Sequence, residues 1–307
     1  MLKQAENKVK IEGILSEIDL KPGSFVKDGK TIESIGGTIK VKVDQVINGE
    51  ETSLEIPVHM FATKTTNKGT PNPAYDSISK VMNEYVSIAA APAGVSADMI
   101  RITAGSISMN EYYNSNGDLV SFPRVSTSFI SKIKSAKEFK PEATFSAQFV
   151  VASMADEVDR EGNPTGRYKI RGIIPQYGGK VDVVEFIAAN PNVITAVSSY
   201  WNNGDTVQAN GRLNFSSKTE TVVTEVDFGE PVSRTRTINV SELVITGGSQ
   251  NPLDGDFAYD MAEITSALEM RKVMLEKQKE KDMSRAKQKQ APAQTPASNS
   301  ALSDLGF

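Results

Sequence analysis

Apolar and polar residues alternate in short runs along most of this chain, the period-two pattern of half-buried β-strands. In Tyr168-Lys-Ile-Arg-Gly-Ile-Ile174 the alternation turns Ile170 and Ile174 inward with Tyr168, and Lys169 and Arg171 to the other side. The first half reads as a strand at Val9–Leu15, a glycine-containing loop from Pro22 to Gly29, and strands at Thr38–Val43 and Ser53–Met60 joined by an Asn48-Gly49 hairpin turn. Helical spacing of Ile78, Val81, Met82 and Tyr85 follows, then strands at Met99–Thr103, running on toward Tyr113, and at Ser121–Ile133. The second half repeats the order at Phe145–Ser153, Tyr168–Pro175 and Lys180–Ala188, a helix-like Asn192–Tyr200, Asp205–Phe215 and Thr235–Ile245.

Strand, strand, strand, helix, strand, strand is the order of a five-stranded oligonucleotide-binding (OB) barrel, whose helix plugs the barrel between its third and fourth strands. Trp201, just after the helix-like link, reads as part of such a plug. The chain is therefore expected to be mainly β, with two tandem OB barrels over residues 1–137 and 138–253. Residues 254–289 read as a charged helix. Residues 290–307, rich in Ala, Pro, Ser, Thr, Gln and Asn, read as a flexible tail with an apolar tip.

Composition narrows the chemistry. The chain has no cysteine and one histidine, His59, so disulfides, cysteine-ligated zinc and histidine-cluster metal sites are excluded; His59 reads as structural or solvated. No Gly-rich phosphate loop or Ser-His-Asp set is present, and Asp156-Glu-Val-Asp159 reads as a turn. Neither catalysis nor a cofactor is expected. The charged N-terminus has no apolar signal region and no run is long enough to span a membrane, so a cytoplasmic protein is expected.

Net charge is −4 overall, so an anionic ligand requires cations gathered on one face. Lys40 and Lys42 in the first half, and Lys169 and Arg171 in the second, occupy matching strand positions. Arg212, Lys218, Arg234 and Arg236 add charge near the last two strands. Tyr112, Tyr113, Phe122, Tyr168, Tyr177 and Phe215 lie in or beside strands and turns, where a ring can stack on an unpaired base. Together they outline a sequence-tolerant groove for single-stranded nucleic acid. Two other readings of the residues stay open: a virion or scaffold component with a charged surface, and an RNA-binding or polymerase-accessory module.

Three phrases carry a resemblance: Val9-Lys-Ile-Glu-Gly13 as an opening strand, Gly204-Asp-Thr-Val-Gln-Ala-Asn-Gly211-Arg212 as the strand after the helix, and the terminal Asp304-Leu-Gly-Phe307. With these the chain resembles bacteriophage and bacterial single-stranded DNA-binding proteins. That resemblance implies coating and protection of single strands in replication or recombination, with no chemistry performed. It also implies recruitment of replication or recombination proteins through Asp304, Leu305 and Phe307, although glycine stands where the family has proline and only Asp304 supplies charge.

Overall fold

Alternation builds the core strand by strand. Along Glu50–Thr63, Leu54, Ile56, Val58, Met60 and Ala62 are buried, and the residues between them face outward. The structure, a computed structural model, describes residues 2–47, 49–159, 161–224 and 232–290, with side chains for all of these but 217–224, 232–239 and 287–290.

The first half contains β1 (Asn7–Lys27), β2 (Lys30–Ile47), β3 (Glu50–Thr63), α1 (Pro73–Glu84), β4 (Met99–Tyr113) and β5 (Leu119–Ser126), with a short β6 (Ser131–Lys132) beside β4. Strand pairing closes on itself. β1 pairs with β2 and β2 with β3, both antiparallel; β3 then pairs in parallel with β5 through Val58 and Val125. β5 pairs with β4, and β4 returns to β1, with Ile102 opposite Ile11.

The second half repeats this ring. It contains β7 (Glu142–Val158), β8 (Pro164–Pro175), β9 (Val181–Ala188), α2 (Pro191–Tyr200), β10 (Thr206–Thr224) and β11 (Val232–Gly248). β9 pairs in parallel with β11 at Phe186 and Leu243, and β10 returns to β7, with Val207 opposite Phe149. The rings are stitched together by β1 and β7, where Val9 faces Phe145.

The connecting helices start alike. Asn72 and Asn190 cap them by accepting the backbone N–H of Ala74 (3.1 Å) and of Asn192 (2.9 Å), and a proline follows each cap where no N–H is needed. Close approaches between paired strands demand glycine, as at Gly37 and Gly211. A Cβ on Gly37 would sit 1.9 Å from the Asp19 carbonyl oxygen; one on Gly211 would sit 2.2 Å from that of Val244. The first core is mostly aliphatic. In the second, Phe149 stacks on Phe186 at 4.5 Å and meets Trp201 edge-on, and the indole N–H donates to the Ser249 carbonyl (2.9 Å).

The expected loop at Pro22–Gly29 is instead an arm: β1 and β2 stay paired as far as Lys27 and Lys30, with the turn at Asp28 and Gly29, both at positive φ. Pro22 is tolerated because β1 has one neighbour there and needs no second ladder. The charged segment forms one helix, α3 (Met261–Gln290). Ile264 and Ala267 pack on Val150, Ile173 and Val181 of the second ring. Farther along, Arg271 pairs with Glu111, and the Tyr113 N–H donates to Asp282 (3.1 Å), so α3 reaches across both rings. Among the described residues no helix is long and apolar enough to cross a membrane, and no three His, Asp or Glu side chains gather as a metal site. The expected tail, residues 290–307, lies outside the described residues beyond Gln290.

Glu12 is almost fully buried on β1. It accepts hydrogen bonds from Arg101 Nε (2.5 Å) and from the Lys140 N–H (3.1 Å), tying the first ring to the connection before β7. Burial opposes its charge, but these two donors outweigh burial and hold its pKa below the ordinary carboxylate value. Stability from this group is therefore present above the unfolded-state pKa and is lost as pH falls through the lower, folded one. Glu12→Gln is expected to cost about 1–3 kcal/mol at neutral pH. In melts below about pH 4 the gap between the variant and the native chain should narrow.

Candidate nucleic-acid interface

Residues directly opposite each other on paired strands share a face, so the register defines the outer surface of the first ring. Lys40 faces Pro57, Thr38 faces His59 and Gly36 faces Phe61 across β2 and β3. His59 in turn faces Ser126 on β5, and Asn110 on β4 faces Phe122. One continuous outer face thus carries Lys40, Lys42, His59, Phe61, Phe122, Arg124 and Tyr112. Its rings are open to solvent: Phe61 is 49% exposed, Tyr112 42% and Phe122 40%, with Tyr112 and Phe122 edge to face at 6.5 Å.

Most cations on this face have a carboxylate partner. Lys40 pairs with Glu17 at 2.7 Å and Lys42 with Asp44 at 3.2 Å. Arg124 is different: among the described residues it has no carboxylate partner, and its buried Nε meets no acceptor. Burial first, then the charge of Arg124, hold His59 below its ordinary imidazole pKa, against an opposing backbone contact from Gly37. Arg124 therefore sits beside a neutral imidazole at pH 7.

A cleft of about 980 Å³ separates this face from the second ring and α3. Lys40 and Phe122 line it from one side, Arg171 from the other, and Arg271 from the helix. Five carboxylates also line it: Glu55, Glu111, Glu157, Glu185 and Glu242. Acids therefore outnumber bases, and the continuous positive track expected from the sequence is absent from this cleft. Lys169 lies between Glu157 (3.6 Å) and Glu185 (3.4 Å), and Arg167 is held by Glu157 (2.9 Å) and Glu242 (2.6 Å). Arg171 remains exposed, with no ion-pair partner among the described residues although Glu185 is its register neighbour.

Other expected contacts fall elsewhere. Phe215 is 2% exposed and packed in the second core, so it has no face left for a base; Tyr168 is half-buried against the same core. Tyr113 lies under the Lys279 ammonium (5.5 Å from the ring centre), taken up by α3. Tyr177 stands in solvent on the turn between β8 and β9. Arg212 lines a separate hollow of about 420 Å³ at the start of α2. The side chains of Lys218, Arg234 and Arg236, and all of Asp304, Leu305 and Phe307, lie outside the described residues. The sequence reading missed Arg124 and Phe61. The signal for Phe61 was present, because it continues the outward parity of Glu55, Pro57 and His59.

Comparison with solved structures finds the crystal structure of a deletion mutant of the single-stranded DNA-binding protein from Thermus aquaticus. It is 12% identical, with a TM-score of 0.44, and the match covers 82% of this chain and 97% of that one. At that score the likeness carries no weight for fold or function. No curated protein sequence matches. The YorF family model matches residues 5–281, through both rings and most of α3, and the chain belongs to the YorF family.

Proposed function

We propose that each ring is an OB-type five-stranded barrel and that the protein binds single-stranded DNA without reading its sequence. The observation that carries this is the outer face of the first ring: three solvent-open aromatic rings, Phe61, Tyr112 and Phe122, beside Arg124, which has no carboxylate partner among the described residues. Base–aromatic stacking tolerates any sequence because every base has a π-face, and an arginine without a carboxylate partner is available to a phosphate. Repetition of the same strand order in both halves supports the barrel assignment.

In this reading the protein coats and protects single strands during replication or recombination, in the cytoplasm. It catalyses nothing and uses no cofactor, and its C-terminal residues recruit partner proteins. Where the strand passes the cleft, its phosphates compete with Glu157 and Glu185 for Lys169, and they meet Arg171, which has no ion-pair partner among the described residues. The Lys169–Glu185 pair is exposed, and such pairs are worth at most about 1 kcal/mol, so exchanging it for a phosphate costs little.

Labelled oligo(dT), titrated by fluorescence polarisation at two salt concentrations, tests the reading. Arg124→Ala with Arg171→Ala should weaken binding about tenfold and lower the salt slope by about 1.4, two phosphate contacts on a single strand. A native chain indifferent to the oligonucleotide at low salt would end the proposal. His59 supplies a separate check. A phosphate beside it favours the imidazolium, so binding takes up a proton; affinity should rise as pH falls from about 7.5 to 5.5, and His59→Gln should flatten that rise.

A further inference from the structure

Beyond the first ring, β1 and β2 continue as a two-stranded arm. β3 leaves β2 after Ser34, where the Lys64 N–H still donates to the Glu33 carbonyl (2.9 Å), so from Phe25 and Ile32 outward each strand of the arm has only the other as neighbour. The register runs without a shift from Leu20 to Lys27, so one side of the arm continues the outer face already described. Along it lie Phe61 with Gly36 and Lys21 in register, then Gly23 with Ser34, then Phe25 with Ile32, then Lys27 opposite Lys30.

Two features of this side have no structural explanation. Phe25 is 41% exposed and Phe61 49%, and between them the floor is low: Gly36 lies under the Phe61 ring, and Gly23 has only the Ser34 hydroxyl nearby. Four residues of strand separate the levels of the two rings, about 13 Å, which leaves room for about two or three bases at a stacked rise of about 3.4 Å. At the tip, Lys27 and Lys30 stand directly opposite each other, an arrangement of like charges that destabilises a hairpin. Among the described residues neither has a carboxylate partner; Asp28 in the turn pairs with neither, and Lys21 farther back is held by Asp19 at 2.8 Å.

We propose that the arm is a second contact for the same unpaired strand, with bases stacking on Phe25 and Phe61 and phosphates held by Lys27 and Lys30. This rests on the single-strand reading above and extends it to residues outside the cleft. The strand then leaves the acid-rich cleft, crosses Arg124 and His59, and runs out along the arm. The arm side offers aromatic surface and unpaired cations together, whereas most cations beside the cleft are already paired.

Two variants test this in the full chain, Phe25→Ala and the double variant Lys27→Ala with Lys30→Ala, each checked by thermal melting. Titration with labelled oligo(dT) should show the first weakening binding about tenfold with the salt slope unchanged. The second should lower the slope by about 1.4. Native binding unaltered in both variants would overturn the arm and leave the single-strand reading standing, whereas a native chain that binds no oligonucleotide overturns both. Sedimentation without DNA covers the remaining occupant: if the variants lose self-association and keep their DNA affinity, the arm is a contact between copies and the proposal fails.

Discussion

Strand β1 is the element on which the rest depends. Over residues 9–12 it lies between β4 and β7, and farther along it passes from β4 to β2, so one backbone closes the first ring and joins it to the second. A buried backbone donor or acceptor left without a partner costs about as much as a lost hydrogen bond, which makes this shared strand hard to vary. Gly13 records the crowding: a Cβ there would lie 2.4 Å from the Lys42 carbonyl oxygen. Buried Glu12 sits on the same strand, and the Lys140 N–H that it accepts leads into β7.

The electrostatics follow from an acidic chain closing into rings. Neighbouring outward positions on adjacent strands bring Lys40 to Glu17 and Lys169 to Glu185 almost by default. Such exposed pairs contribute little stability, so they set where charge is available more than how firmly the fold holds. What distinguishes Arg124, Arg171, Lys27 and Lys30 is that none has a carboxylate partner among the described residues. They are distributed over the outer face, the cleft and the arm.

Much of the architecture was legible because side-chain parity reports directly on burial. Alternation at Thr38–Val43 and Ser53–Met60 marked β2 and β3, and the spacing of Ile78 and Val81 marked α1. A further repeat signal went unread, the Asn-Pro pairs at Asn72 and Asn190 that start both connecting helices. The arm was hidden by its own composition: Pro22, Gly23 and Gly29 look like loop residues, and only the facing strand shows that they are paired. The site was less legible than the fold. Parity placed Lys40 and Lys42 outward, but it cannot reveal that Glu157 and Glu242, from strands distant in sequence, converge on Arg167. Nor does an aromatic at a strand position declare its depth: Phe215 and Phe61 look alike in the sequence, yet one is sealed in a core and the other faces water.

The stitching of the rings also sets an order of events during synthesis. The strands of the first ring have all been made by Ser126, but the edge that β1 offers at residues 7–12 is met by β7 only once residues 142–147 have emerged from the ribosome. Until then the nascent chain displays an open row of amide and carbonyl groups, beside the apolar Val9 and Ile11, to any other extended segment nearby. Translation speed between Ser126 and Ala147 thereby becomes part of how this protein avoids pairing with the wrong strand.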